Sequence, residues 1–242
     1  MTDFNDTDWS GEEVVRWYLK EADMRVVDRR KQIEILKSFY NHFIGVGKGS
    51  KVLDLGCGDG IITQELLEFD GSIVATLIDG SEHMLENART RLTSYENIRF
   101  IRLSFQELLK DDSSLKGKDY DLIFSSLAIH HLADREKKPL FECIYSHLKD
   151  DGCFVNLDII LSPSKTIEEW YLKLWRDWMR ARQREYKIDD GTDDAIRRYL
   201  KEDHYRQLST LDDQIGALRD IGFKDVDCLY KHGIFSIYAG RK

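Results

Sequence analysis

The stretch Lys51-Val52-Leu53-Asp54-Leu55-Gly56-Cys57-Gly58-Asp59-Gly60 constrains the fold more than any other part of the chain. Val52, Leu53 and Leu55 form a short apolar run of the kind buried in a parallel sheet. Three glycines at alternate positions then break the run. Ile61, Ile62, Leu66 and Leu67 follow at helical spacing. Strand, glycine turn and helix make the first half of a nucleotide-binding βαβ unit. The glycines allow positive φ and let a ligand approach the main chain with no Cβ in the way. The first-turn amides of the helix point toward the same place. Glycine-rich turns also serve as ordinary tight loops, so the rest of the chain has to decide.

A dinucleotide fingerprint G-x-G-x-x-G would carry its third glycine where Ile61 stands. Here that glycine falls one residue early, at Gly60, and Asp54 stands two residues before the first. The pattern D-x-G-x-G-x-G resembles motif I of the class I S-adenosylmethionine (SAM) methyltransferases. The resemblance spans about residues 35–160 and 208–242. It implies SAM as cofactor, S-adenosylhomocysteine as product, and a Rossmann-like sheet of seven strands, mainly parallel, with a terminal antiparallel strand. It also implies that Asp54, Gly56, Cys57 and Gly58 contact the cofactor, with Gly56, Gly58 and the following helix N-terminus at its methionine end.

A second strand is expected over residues 72–78, ending in Asp79-Gly80-Ser81. An acid at that tip is where this architecture holds a ribose diol, because a carboxylate accepts from both hydroxyls. Ser81 can cap the next helix, about 82–93, which leaves Asp79 for a ligand. Met84 and Leu85 then flank an adenine ring. The third strand, 98–103, leads into Ser104-Phe105-Gln106. Related methyltransferases carry an acid here, so the Ser104 or Gln106 side chain, or the Phe105 backbone, would have to replace it. The fourth strand, 120–125, runs into Ser125-Ser126-Leu127-Ala128-Ile129-His130-His131-Leu132, which resembles motif IV and its sequel. The resemblance lays Ser126 and Leu127 along the cofactor. Adjacent histidines do not point the same way and have no H-x-x-x-H or H-E-x-x-H partner, so no metal is expected. His131 is the candidate base or cofactor contact, beside the plainer reading of a structural hydrogen bond.

A helix over 136–148 and the turn Lys149-Asp150-Asp151-Gly152 precede a fifth strand, 153–160. Residues 162–208 then interrupt the alternation with two helices, about 166–186 and 193–205. Tyr171, Leu174 and Trp178 share one face of the first, and Lys173, Arg176, Arg180 and Arg184 another. The basic face reads as solvated, since eleven Lys and Arg from Lys165 to Arg206 meet ten Asp and Glu. An insert there overlies the carboxyl edge of the sheet, as an acceptor cap would. The chain is thus read as one SAM-binding domain, 1–242, with an N-terminal helical layer, 1–46, and a cap, 162–208. Helix is expected over 11–46. Trp17, Tyr18, Tyr171 and Trp175 are the acceptor and lid candidates, with Arg29 another residue able to close over the ligand. A helix over 211–220 and strands 224–230 and 233–239 end the chain.

Hydrophobic residues at 42% and aromatics at 11% of 242 residues can bury a core of that size. The net charge of −8 disfavours broad binding to nucleic acid or anionic membranes. A tRNA partner and a homodimer stay open. Cys57, Cys143, Cys153 and Cys228 form no C-x-x-C pair, which suggests reduced thiols in a cytoplasmic protein without zinc or disulfides. The polar start of the chain does not read as a signal peptide, and no apolar run is long enough to span a bilayer. The chain's ending resembles carboxy-SAM synthase-like and ubiquinone/menaquinone-methyltransferase-like chains. The expected function is methyl transfer from SAM to an O, N or C nucleophile of a small-molecule acceptor. The alternatives are a carboxy-SAM synthase, which needs a cation such as Arg197, Arg198 or Arg206 facing the added carboxylate, a SAM-using tRNA-modification enzyme, or a non-catalytic SAM-binding protein.

Overall fold

The apolar run around Leu53 is the middle of a sheet. In the computed structural model, which describes residues 25–115, 117, 119–186, 192–201 and 205–242, β1 (Lys51–Leu55) is buried from its second residue on. It pairs in parallel with β2 (Val74–Asp79) and β4 (Tyr120–Ser126). β3 (Ile98–Arg102) extends the sheet beyond β2, and β5 (Leu148–Ile159) extends it beyond β4. β7 (Phe235–Arg241) is antiparallel to both β5 and the edge strand β6 (Lys224–His232). The order β3-β2-β1-β4-β5-β7-β6 is the expected seven-stranded, doubly wound arrangement. Strand order reverses between β1 and β4, so a crevice opens there at the carboxyl ends.

The period of two in β1 divides the core. Val52 joins the cluster under α1 (Arg29–Phe43), α2 (Ile61–Phe69) and α3 (Glu82–Arg91), with Leu36, Leu66 and Leu85. Leu53 and Leu55 join the cluster on the other face, under α4 (Phe105–Lys110), α5 (Asp134–His147) and α8 (Leu211–Ile221). A third cluster joins α6 (Lys165–Tyr186) and α7 (Thr192–Tyr199) to Val26, Val27, Ile234 and Phe235.

Several boundaries differ from expectation. Within the described residues the N-terminal layer is α1, which stops just ahead of Gly45 at φ 90°; residues 11–24 of the expected helix lie outside them. α4 was not anticipated. Ser104 and Glu107 form a capping box at its start, and that S-x-x-E signal was present in the sequence. Lys149–Gly152 is not a turn before β5 but an irregularity within it. Tyr120 pairs with Leu148 and Leu122 with Cys153, so β5 carries extra residues there. Asp151 takes φ 64°, and a Cβ on Gly152 would lie 2.9 Å from the carbonyl oxygens of Lys149 and Tyr120. The buried face of α6 is Leu172, Trp175 and Met179, one position round from the expected Tyr171, Leu174 and Trp178.

Candidate active site

The glycine turn is built by its backbone. Gly56, Gly58 and Gly60 all take positive φ, at 70°, 54° and 75°. The amides of Gly56 and Cys57 both donate to the Ile78 carbonyl at 2.9 Å, which ties the turn to β2. A Cβ on Gly56 would lie 2.4 Å from the Ala128 Cβ, so only glycine fits between the turn and the loop after β4. Around Gly58 nothing comes closer to such a Cβ than the Met84 sulfur at 3.9 Å, which leaves room for a ligand. Gly60 caps α2 without a side-chain bond, so the first-turn amides of that helix gain no cap.

Three carboxylates surround this turn. Asp54 is buried and its Oδ2 accepts from the Thr63 hydroxyl at 2.6 Å. Burial pushes its carboxyl up to about 7, the Thr63 bond opposes the rise, and the nearby charges of Asp79 and Asp59 add to it. Asp79 accepts from the Ser81 amide on Oδ1 at 2.8 Å and from the Gly58 amide on Oδ2 at 2.9 Å. Burial raises it to about 6 against those two amides. Asp79 is therefore less free than the sequence suggested, although each oxygen keeps a second acceptor position. Ser81 caps α3 through the Met84 amide, as expected. Asp59 is held by Arg91 at 2.5 Å.

The loop after β4 forms the opposite wall. Leu127 takes φ 53°, a left-handed conformation that costs a non-glycine residue about 1–2 kcal/mol, and its amide donates to the Leu157 carbonyl at 2.8 Å. A short 3-10 turn, Ile129–His131, follows. The two histidines part there. His130 is buried, with Nδ1 2.5 Å from Asp158 Oδ1 and its amide donating to Asp158 Oδ2 at 3.0 Å. Asn156 Nδ2 reaches the same carboxylate at 3.3 Å and also donates to the Tyr238 hydroxyl, which bonds to Gln214. His131 faces the cavity, with the two rings 3.9 Å apart. Asp158, at the carboxyl end of β5, was missed: its pairing with His130 spans 28 residues and leaves no local pattern.

One cavity of about 990 Å³, partly open to solvent, brings together Asp54, Gly56, Cys57, Gly58, Asp79, Gly80, Met84, Ser104, Phe105, Gln106, Ser126, Leu127 and His131. Arg29, Asp59, Ala128 and Leu132 also line it. Ser104 is present with its hydroxyl committed, donating to Glu107 Oε2 at 2.7 Å. Trp17 and Tyr18 lie outside the described residues. Tyr171 and Trp175 are not among the lining residues. The Tyr171 hydroxyl accepts from Lys231 at 2.6 Å. Trp175 is buried edge-on against Tyr199 and Phe235, and its Nε1 donates to the Arg25 carbonyl at 2.8 Å. Trp175→Phe is expected to lower the unfolding free energy by about 1–2 kcal/mol through loss of that bond and some packing, with ligand binding at the cavity unchanged. Urea unfolding checks this; a variant as stable as wild type would contradict it.

Among the described residues one donor group has metal-like proximity, Asp112, Cys143 and His147, away from the cavity. Its donor atoms lie within 4.8 Å of one another, but Cys143 and Asp112 approach different nitrogens of the His147 ring. Cys143 Sγ lies 3.7 Å from His147 Nδ1, which also sits 2.9 Å from the Cys143 carbonyl, whereas Asp112 faces Nε2 at 3.7 Å. Burial also pushes the Cys143 thiol up to about 11, which disfavours the thiolate a metal needs.

A methyltransferase-domain family model matches residues 52–152, the segment from β1 into β5. The chain is 24% identical over 213 residues to the carboxy-S-adenosyl-L-methionine synthase of Nautilia profundicola, covering 87% of this chain and 82% of that one. Among solved structures it resembles an O-methyltransferase family protein from Burkholderia thailandensis, with a TM-score of 0.65 at 13% identity over 98% of this chain. It also resembles human N-acetylserotonin methyltransferase in complex with SAM, with a TM-score of 0.53 at 16% identity over 100% of this chain. The chain spans 62% of the length of each of those two proteins.

Proposed function

Because the chain belongs to the class I SAM-dependent methyltransferase superfamily, we propose that its cavity holds SAM along the glycine turn and that methyl transfer goes to an O, N or C nucleophile of a small-molecule acceptor. The observation that carries the residue-level reading is the Asp79 carboxylate. Its two oxygens are oriented by the Gly58 and Ser81 amides at the rim of the turn, each with an acceptor position left for a ribose hydroxyl. Gly56, Cys57, Gly58 and the first-turn amides of α2 would hold the methionine end, and Asp54 its ammonium group. Met84 and Gly80 would flank the adenine. With the Ser104 hydroxyl committed to Glu107, the Phe105 amide and the Gln106 side chain are left to read the adenine edge.

When bound, SAM supplies a methyl group made electrophilic by its sulfonium. The chain's part is to orient the acceptor and exclude water. Ser126, Leu127, Ala128 and Leu132 give a largely apolar wall, and His131 would take the proton of an acceptor that arrives protonated. The cap, 162–208, and the N-terminal layer, 1–46, would cover the acceptor side within a single domain. Trp17, Tyr18 and Tyr171 would belong to that cover, with Trp175 anchoring it. No helix among the described residues is long and apolar enough to cross a membrane, and a cytoplasmic setting is part of the same proposal.

Carboxy-SAM synthesis is the second reading, favoured by likeness to such a synthase over most of both chains. Arg197, Arg198 and Arg206, the cations it would use, are exposed, and none is among the residues lining the cavity. Calorimetric titration with SAM, S-adenosylhomocysteine and NAD tests the cofactor, and mass spectrometry of co-purified nucleosides tests the chemistry. SAM and its product should bind and NAD should not. Binding of NAD without SAM would sink the proposal; carboxy-SAM carried through purification would favour the second reading.

A further inference from the structure

We propose that Lys137 is a positioning residue, latching the end of the cap to the turn that carries His131 so that cap and cavity wall move as one piece; this rests on the cap and SAM reading above. Lys137 lies in the first turn of α5 and is 3% exposed. Its ammonium donates to the Gln207 carbonyl and to the Ser209 hydroxyl, the latter at 2.7 Å. The Ser209 hydroxyl in turn donates to Asp134 Oδ1. Residues 207–209 are where the chain returns from the cap toward α8. The other root of the cap meets them there. The Leu161 amide donates to the Ser209 carbonyl at 2.9 Å, beside a parallel bridge from Leu161 to Thr210.

The ammonium also feels the charge of Asp158, along with that of Asp134. Asp158 is the carboxylate that holds both the ring and the amide of His130, within the turn Ile129–His131. Lys137 therefore joins three parts: the return segment by direct bonds, the start of α5 by its own backbone, and the histidine turn through Asp158. Lys137, Gln207 and Ser209 are not among the residues lining the cavity, so the latch acts through its neighbours. Stability does not call for a cation at this place. Burial lowers the ammonium to about 8, against the pull of Asp158 and Asp134. The unfolded chain, at its ordinary 10.5, binds that proton more tightly. The charge thus opposes folding at neutral pH, and the penalty fades as pH climbs from the folded value to the unfolded one. A buried charge that opposes folding while fixing one arrangement of its neighbours acts as a registry device.

The test is hydrogen exchange read by mass spectrometry on wild type and Lys137→Met, with urea unfolding and calorimetric titration of SAM alongside. The variant leaves no isolated buried charge. Asp134 is exposed, and Asp158 keeps the His130 and Ile159 amides, the His130 ring and Asn156. The urea midpoint of the variant should equal or exceed that of wild type, and its SAM affinity should stay within about threefold. Residues 205–210 should exchange about 10-fold faster or more, with the central strands unchanged. Saturating SAM should slow residues 129–132 in both proteins and residues 205–210 in wild type alone. Taking the protein to about pH 9.5 removes the charge without a mutation; after correction for intrinsic rates, it should loosen 205–210 in wild type and not in the variant. A lower urea midpoint with faster exchange throughout would make Lys137 a plain structural contact. Unchanged exchange at 205–210 would overturn the latch, as would SAM protection there that is missing in wild type or survives in the variant. Failure of wild type to bind SAM would overturn the cofactor reading, while exchange in the two free proteins would still decide the latch.

Discussion

Gly56→Ala should strongly weaken cofactor binding while most of the sheet stays folded. Two costs coincide at this position. The residue sits at φ 70°, where any L side chain loses about 1–2 kcal/mol. Its new Cβ would stand 2.4 Å from the Ala128 Cβ and 3.3 Å from the Phe105 ring. Ala128 cannot simply retreat, because it lies between Leu127, already in a left-handed conformation, and the 3-10 turn that carries His131. The turn must therefore shift, and with it the Gly58 amide that orients Asp79. We expect SAM affinity to fall on the order of 100-fold or more, equivalent to about 3 kcal/mol. Removing the methyl group on the other side, in Gly56→Ala/Ala128→Gly, should restore part of that loss, since the clash goes and the φ cost stays. Calorimetry with a circular-dichroism melt checks both. A single variant that binds SAM normally would show that the turn tolerates a Cβ.

Asp54→Asn should make the free protein more stable at pH 8 and bind SAM less well. Burial raises the folded-state pKa of Asp54 from 3.8 to about 7. A group raised in this way contributes stability fully below about pH 4 and loses it as pH climbs through about 7. Above that, the fold carries a buried negative charge beside Asp79, which burial raises to about 6 by the same mechanism. Three pH units correspond to an upper bound of about 4 kcal/mol, and relaxation around the site will leave about 1–3 kcal/mol to be seen. Asparagine keeps an oxygen for the Thr63 hydroxyl and removes the charge. The readout is the stability difference between variant and wild type, by urea unfolding from pH 5 to pH 8.5. It should be small at the acid end and grow toward the alkaline end. A difference that stays flat with pH would mean Asp54 is not ionising in this range. The ligand's ammonium supplies the missing countercharge, so saturating SAM should shrink or reverse the variant's advantage.

The parts of this site legible in the sequence are those made by short-range geometry. Asp54 through Gly60 and the Asp79 tip are each a strand end followed by a turn, and such units announce themselves within ten residues. The Ser104–Glu107 box is equally local: an S-x-x-E signal that starts α4 and also commits the Ser104 hydroxyl. What was not legible depends on tertiary facing. Helical spacing in α6 groups its aromatics without saying which stripe turns inward. Trp175 is the one that turns in fully, against Phe235 of β7, while Tyr171 and Trp178 pack on the same cluster only half-buried. Asp158 is of the same kind: only the pairing of β4 with β5 brings it beneath His130.

The antiparallel β7 sits inside the sheet, between β5 and β6, although it is the last strand in chain order. During synthesis β5 is complete by Ile159, whereas β7 begins at Phe235. At about 5–20 residues per second, that interval is roughly 4–15 s for a nascent chain. Throughout it, the ladder groups of Phe154, Val155 and Leu157 face an empty seat, and both of their faces are apolar. A bare, long, apolar strand edge is what neighbouring chains pair with. The half-made molecule is therefore at its most adhesive while residues 160–234 are being made, and its yield in the cell is expected to depend on how fast those 75 codons are read.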